Sequence, residues 1–264
     1  MIKICDLNQE SIVSSIVDKD KLQNVYLSID IKMYGLNCEN IETSLLIEDE
    51  KIILILYKYY NSLQIFKNND ISDEGIIELC EYIEKENFEM ISGCIDIIEK
   101  TINKLQDKYS MTSGCIMKKQ TEVKSKSNFT RLATESDCVN IAKLICSDKN
   151  IGGHYTIEGL TEQLTDRMVN RNCKNVIIEQ DGEVVSHMGV YADTDDICVL
   201  GGLITKNEYQ GKGYGKNSLD DLTYFVQKEN KLPILYCYDE GLIKWYEKND
   251  WKKITSCAKL EKNR

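Results

Sequence analysis

The sequence predicts an α/β (α+β) chain built as two tandem halves that share one order of elements. Three observations support this. Short, strand-like apolar runs alternate with stretches of helical period along the chain. The second half reads β α α β β β α β α β, and the first reads α α β β β α β α β, the same order without its first strand. Asp181-Gly182 is a strong hairpin turn between two strand runs, so strands adjacent in sequence pair directly there.

In the first half, helices fit Gln9–Val17 and Lys21–Met33. Thr43–Ile47 and Lys51–Tyr57 form a hairpin around Glu48-Asp49-Glu50, and Leu63–Phe66 is a third strand. Ser72 is a helix N-cap for a segment running to Tyr82. Met90–Ser92 is a short strand, Cys94–Leu105 a helix and Met111–Lys118 a strand. In the second half, Phe129–Ala133 reads as a strand. Thr134-Glu135-Ser136-Asp137 opens a helix carrying Val139, Ala142, Leu144 and Ile145. Asn150–Tyr155 is a glycine-containing loop, followed by a helix over Ile157–Val169. Val176–Gln180 and Glu183–Tyr191 are the strands of the Asp181-Gly182 hairpin, and Ile197–Thr205 is the next strand. Leu219, Leu222, Phe225 and Val226 then share one helical face. Pro233–Tyr238, Gly241–Asn249 and Trp251–Leu260 close the chain as strand, helix and strand.

The chain has 264 residues and a single proline, Pro233. The polar stretch Lys118–Asn128 is the expected joint, dividing the chain into domains 1–122 and 123–264. No apolar run reaches the ~18 residues of a membrane span, and the N-terminus lacks a signal-peptide core. Eleven cysteines without a C-x-x-C pair, beside only two histidines, give no zinc-type spacing, so no metal is expected. Most sit in apolar runs, as reduced thiols do in a cytoplasm. The net charge is −10. Up to residue 120 there are 13 Lys and Arg against 21 Asp and Glu, and 20 against 22 afterwards. That balance argues against a phosphate-tracking nucleic-acid surface. It suits a cationic partner, or an acidic surface that only maintains solubility.

One stretch carries most of the chemistry. Gln210-Gly211-Lys212-Gly213-Tyr214-Gly215 joins the Ile197–Thr205 strand to the next helix. Glycines at alternate positions allow positive φ, and the helix N-terminus presents N–H groups that suit an anion. Lys212 and Lys216 add positive charge. A phosphate or pyrophosphate cradle is the direct reading, and a solvated turn is the plain one. A dinucleotide turn needs glycine at position 216, where lysine stands, and no Gly-Lys-Ser or Gly-Lys-Thr exists for a P-loop. The corresponding first-half junction, Phe66 to Asp73, has no glycine, and Asp70 and Asp73 there would repel a phosphate.

Residues 129–260 resemble a GNAT-superfamily N-acetyltransferase domain. Gln210, Gly213 and Gly215 meet the family's [Q/R]-x-x-G-x-[G/A] signature at a strand-to-helix junction, after a family-like Glu208-Tyr209. Trp245-Tyr246-Glu247-Lys248-Asn249-Asp250-Trp251 resembles its Y-E-K-x-G-F stretch. The first half resembles the degenerate N-terminal GNAT-like domain of two-domain members. Asp250 departs from the usual Gly, Trp251 from Phe, Asp239 from Asn, and Thr205-Lys206-Asn207 from Val-x-Pro. Ile234 stands where some members carry a carboxylate base.

The resemblance implies a GNAT-like, mixed, mostly antiparallel sheet flanked by helices, in two tandem copies. It also implies an acetyltransferase that moves acetyl from acetyl-CoA, a co-substrate, to a primary amine by direct attack in a ternary complex. The pyrophosphate is expected at the backbone of Gly211, Lys212, Gly213, Tyr214 and Gly215, beside Gln210, with Lys212 and Lys216 screening charge. The pantetheine arm is expected along the backbone of Leu203, Ile204 and Thr205. A main-chain N–H in that stretch is the natural donor to the thioester oxygen. Tyr246 occupies the place of the acid that protonates the leaving thiolate, although packing beside Trp245 is also a sufficient reason for a tyrosine there. The base is open among His187, His154, Glu183, Asp196, Asp239 and a water chain. The expected partners are a small-molecule or peptide amine acceptor and no nucleic acid or membrane, with a homodimer allowed. The first half is expected to shape the acceptor cleft or to dimerise. A non-catalytic acyl-CoA binding or sensing protein is the competing reading: Tyr246 favours the enzyme, and the lack of an obvious base favours the sensor.

Overall fold

The computed structural model describes residues 1–153 and 155–263. It falls into two compact units: Met1–Ile116 with Cys237–Ile243 and Lys253–Arg264, and Met117–Tyr236 with Lys244–Lys252. The units interleave in sequence rather than meeting at a single cut between 122 and 123.

In chain order the first elements are β1 (Ile2–Ile4), α1 (Glu10–Val17), α2 (Val25–Tyr34), β2 (Ile41–Glu48), β3 (Lys51–Tyr59) and β4 (Ser62–Lys67). There follow α3 (Asp73–Glu86), β5 (Met90–Cys94), α4 (Ile95–Leu105), β6 (Tyr109–Lys119), β7 (Arg131–Leu132), α5 (Cys138–Cys146), α6 (Lys149–Gly152) and α7 (Ile157–Asn170). The last are β8 (Asn175–Gln180), β9 (Glu183–Asp193), β10 (Ile197–Thr205), α8 (Tyr214–Lys228), β11 (Leu232–Cys237), α9 (Glu240–Lys248) and β12 (Trp251–Lys262).

The first unit orders its strands β1-β2-β3-β4-β5-β12, antiparallel except for the β4–β5 pair. Strand β3 alternates its side chains between two layers. Ile55 and Tyr57 pack with Val13, Ile16, Leu27 and Ile31 of α1 and α2. Leu54 and Leu56 pack with Ile76, Leu79, Ile83, Ile97 and Ile98 of α3 and α4. Both faces are covered, which is why Ile52 to Tyr57 reads as an unbroken apolar run. Two expectations are corrected here. The first half does not lack its first strand: Ile2–Ile4 pairs antiparallel with β2, and three residues are too few to show a period. The chain's final strand is not confined to the second half: Cys257–Glu261 pairs with Met90–Cys94, and Ala258 and Leu260 are buried in the first unit's core.

The second unit repeats the pattern, with β7-β8-β9-β10 antiparallel and β10–β11 parallel. Asp181 (φ 51°) and Gly182 (φ 81°) make the β8–β9 turn, with both central residues left-handed, as a two-residue hairpin prefers. Ile141, Leu144 and Ile145 of α5 and Leu160 and Leu164 of α7 pack with Ile177, Val184 and Ile204. The predicted apolar face of α8 buries Leu219, Leu222 and Val226. The strand predicted at Phe129–Ala133 shrinks to two residues, and the loop predicted at Asn150–Tyr155 opens instead with the short α6. The polar stretch expected as the joint is strapped to α8. Val123 donates its N–H to Gln227 Oε1 (2.8 Å), and Ser127 donates its N–H and Oγ–H to the buried Asp221 carboxylate (2.7 Å each). No helix among the described residues is long and apolar enough to cross a membrane.

Candidate functional site

Strands β10 and β11 pair only over Ile197–Leu200 and Leu232–Leu235. Beyond Leu200, among the described residues, Gly201–Thr205 keeps β9 on one side and has no strand on the other. Within this open length lies a bulge. Gly201 faces Gly189 and Ile204 faces His187, so Gly202 and Leu203 together oppose Met188. Gly202 has φ 65°, a region glycine enters at little cost.

Side chains of β9 hold the carbonyls of this length. His187 Nδ1 is 2.9 Å from Gly202 O, and Ser186 Oγ donates to Ile204 O at 3.1 Å. The peptides are trans and planar, so N–H and C=O of one peptide point oppositely. The N–H groups of Leu203 and Thr205 therefore face the open edge. Of the three residues expected to line it, Leu203 and Thr205 turn toward the edge. Ile204 does not: its carbonyl is engaged by Ser186 and its side chain is 7 % exposed.

The cradle follows directly. A single 3-10 turn, Asn207–Tyr209, leads into Gln210, then Gly211 (φ 74°) and Gly213 (φ 83°), and Gly213 stands at the N-cap of α8. A methyl at either glycine would meet no atom within 4 Å, so backbone conformation, not space, selects glycine. Helix α8 has no side-chain cap and no acidic residue in its first turn. Asn217 N–H bonds Gly213 O (3.0 Å), so the N–H groups before it have no acceptor within the helix. Fifteen residues of helix direct their dipole at this end.

The side chains around it divide. Gln210 Nε2 donates to Thr205 O and Asn207 Oδ1, 3.1 Å each, tying the loop to the strand end. Lys212 Nζ lies over the Tyr209 ring at 4.6 Å, beside the glycines. Tyr209 stacks on Tyr214 (6.3 Å, 24°). Lys216 is drawn along the helix into an ion pair with Asp220, so its charge is not held at the cradle alone.

Tyr246 on α9 is 6 % exposed and held edge-on by Trp245 (5.2 Å) and Trp251 (6.0 Å). The departures from the family pattern have local reasons. Asp239 accepts the Leu242 N–H at 2.7 Å, doing the capping an asparagine would do. Asp250 sits at φ 66°, the conformation that a glycine there would supply, with its carbonyl accepting Gln120 N–H at 3.0 Å.

The base candidates are dispersed. His187 is 0 % exposed, and burial pushes its pKa down to about 4, against the hydrogen bond to Gly202, so it is a neutral interior group. Glu183 is paired with Lys206. Asp196 accepts from Thr194 (3.1 Å) before β10 begins, seven residues or roughly 20 Å of strand from Leu203. Asp239 is the α9 cap. His154 lies outside the described residues. A cavity of about 160 Å³ beside α5 and the β8–β9 turn is lined by Lys143, Ser147, Glu183 and Lys206 among others, so it holds one base candidate, Glu183, and none of the residues expected to bind the cofactor. No group of three His, Cys, Asp or Glu among the described residues is placed to hold a metal.

Sequence reasoning missed the surroundings of the bulge. Tyr191 packs its ring against Gly201 and Gly202, the Arg167 guanidinium lies 4.6 Å from that ring, and Asn175 holds His187. Burial raises the Tyr191 phenol to about 12, opposed by Arg167. The adjacent glycines at 201 and 202 inside a strand were the available signal for a bulge.

An open strand edge thus runs into a helix N-terminus without a side-chain cap. The sequence model of the acetyltransferase (GNAT) family matches residues 141–251. The whole chain superposes on solved structures at low identity. A GCN5-related N-acetyltransferase from Sphaerobacter thermophilus has TM-score 0.67 at 11 % identity, over 99 % of this chain and 95 % of that one. An acetyltransferase of the GNAT family from Colwellia psychrerythraea has 0.62 at 11 %, over 100 % of both. A tandem GNAT protein from the clavulanic acid biosynthesis pathway has 0.61 at 9 %, over 99 % and 98 %. No curated protein matches the sequence. The chain shares the GNAT fold with these structures, and residues 141–251 match the family's sequence model.

Proposed function

We propose that this protein is an N-acetyltransferase that moves an acetyl group from acetyl-CoA to a primary amine by direct attack in a ternary complex. The observation that carries the reading is the open edge of β10 running into the uncapped N-terminus of α8. The N–H groups from Gly211 to Gly215 would hold the pyrophosphate, with Lys212 beside them. The edge groups of Leu203 and Thr205 would pair with the pantetheine amides as an added strand does. Acetyl-CoA supplies an activated acetyl thioester. Leu203 N–H is the donor offered to its oxygen as charge develops there. Tyr246, protonated as phenols are at neutral pH, would donate to the departing thiolate. Among the described candidates, His187 is buried and Glu183, Asp196 and Asp239 are engaged, so this reading gives the amine's proton to water.

That same lack of a reachable base among the described residues supports a second reading, a protein that binds acyl-CoA without turning it over. One experiment separates them. The protein is incubated with acetyl-CoA and a panel of amines, and free CoA and acetylated amine are quantified by chromatography. A thiol dye is unsuitable because Cys38 is exposed. Amine-dependent release supports the enzyme. Binding without release on every amine supports the sensor, and absence of binding overturns both.

A further inference from the structure

We infer that His187, gripped by Asn175, is the positioning residue that sets the β10 bulge and aims the Leu203 N–H at the reacting carbonyl. The inference rests on the acetyltransferase reading.

His187 is fully buried, with Nδ1 2.9 Å from Gly202 O and Nε2 2.9 Å from Asn175 Oδ1, and Asn175 is itself buried. A neutral imidazole carries one proton. Gly202 O can only accept, so that proton belongs on Nδ1. Nε2 is then an acceptor, and Asn175 satisfies it when its carboxamide is turned by 180° to present the NH₂. This is the one neutral arrangement in which each buried group has a complementary partner. The charged alternative is opposed by burial and by the nearby Arg167.

The packing has no slack for another arrangement. A methyl on Gly202 would run into the Tyr191 hydroxyl and come within 3.2 Å of His187 Cε1. A methyl on Gly189 would run into the same end of the Asn175 carboxamide. The three strands β8, β9 and β10 therefore interlock around the imidazole.

The reason the clamp bears on function is the glycine itself. Gly202 is free to take either sign of φ, so its own backbone does not choose which way the 202–203 peptide faces. Ladder hydrogen bonds do not choose it either, because the register shifts there. The bond from His187 does. With the carbonyl held toward β9, planarity sends Leu203 N–H to the open edge. Without it, a buried carbonyl loses its donor and the peptide can rotate, taking the N–H with it.

Three measurements test this. In wild-type protein, ¹⁵N NMR of His187 should show the neutral Nδ1–H tautomer; an Nε2–H tautomer removes the donor to Gly202 and overturns the inference, with no variant required to fold. Next, His187→Asn can place an amide nitrogen near the Nδ1 position, whereas His187→Gln places it near Nε2. His187→Gln should lower kcat at least tenfold with the acetyl-CoA KM within twofold, and His187→Asn should recover most of the loss. Equal kcat in the two variants overturns it. Last, the infrared C=O stretch of ¹³C-labelled acetyl-CoA, read without an acceptor, should fall on binding to wild type and His187→Asn and stay unshifted with His187→Gln. If acetyl-CoA binds and the stretch is the same in all three, this inference fails while the functional reading stands. If wild type binds no acetyl-CoA, both fail.

Discussion

At the start of α3, in the first unit, a carboxylate of the chain itself occupies the helix N-terminus; at the start of α8, in the second, no described side chain caps the helix. Ser72 caps α3, its Oγ accepting Gly75 N–H at 3.0 Å. Glu48, from the end of β2, accepts the Ser72 Oγ–H at 2.8 Å and lies so close to Gly75 that a methyl there would run into it. Asp73 and Glu74 add charge in the same turn. Lys67, at the end of β4, is bridged by Asp70 (2.9 Å) and Asp96 (2.6 Å). Helix α8 has the same place in the order of strands and helices, yet it has no cap, no acid in its first turn and two glycines at positive φ before it. The strands differ in step: β4 runs six residues and β10 nine, while each pairs with its parallel neighbour over four. One fold thus closes a helix N-terminus with its own carboxylate in one unit and leaves it without a side-chain cap in the other.

The comparison can be broken at several points. Tyr246→Phe keeps the packing against Trp245 and Trp251 and removes the hydroxyl. It should lower kcat about 10²-fold or more at nearly unchanged acetyl-CoA KM, measured by steady-state CoA release. An unchanged kcat would return the tyrosine to a packing role and leave the second unit without an acid.

The histidine distinguishes the units in acid. The two histidines are His154 and His187, so the first unit has none. Burial depresses the folded pKa of His187 to about 4, below its ordinary ~6.5, so the unfolded chain takes up the proton first. Its contribution is present above pH ~6.5 and is lost as the pH falls toward 4, a change of roughly 3 kcal/mol at about 1.4 kcal/mol per unit. Denaturant unfolding at pH 7, 5 and 4 should show that extra slope in wild type and not in His187→Asn. Parallel slopes would mean that the imidazole is not buried neutral.

Gly213→Asp carries the first unit's solution into the second. Aspartate tolerates positive φ, as Asp250 does at 66°, and it would set a carboxylate at the open helix end. CoA affinity by calorimetry should fall about 30-fold, or ~2 kcal/mol, at little cost in melting temperature. A change under threefold would show that the dipole end is not where the anion binds. The reciprocal change is the smallest. Glu48→Ala should cost about 1 kcal/mol in urea unfolding and leave CoA affinity within twofold. A second CoA bound per chain would mean that Glu48 alone had been closing the first unit.

Features carried by neighbouring residues were legible in the sequence. The positive φ at Gly211 and Gly213, the apolar face of α8 and the Asp181-Gly182 turn each depend on a few consecutive positions. The Lys216–Asp220 pair, four apart on one helix, was equally readable and weakens Lys216 as a cradle cation. The acidity of the first junction was legible too, in Asp73 of the first turn of α3 and in Asp70 before it. Asp70 has a side chain 97 % exposed and is tied to Lys67, while the group that fills the helix end is Glu48, 24 residues before Ser72. The bulge clamp joins Asn175, His187 and Gly202, at separations of 12 and 15 residues that no local pattern marks.

By itself, then, the sequence determined most of the order of elements, apart from β1 and α6, and the glycine turn with positive φ before α8, because period and backbone freedom are properties of adjacent residues. Tertiary structure alone decided which strand β12 joins, which carboxylate closes α3 and which peptide His187 holds. Those choices depend on which apolar faces are buried together and on which buried polar groups must then find each other across strands.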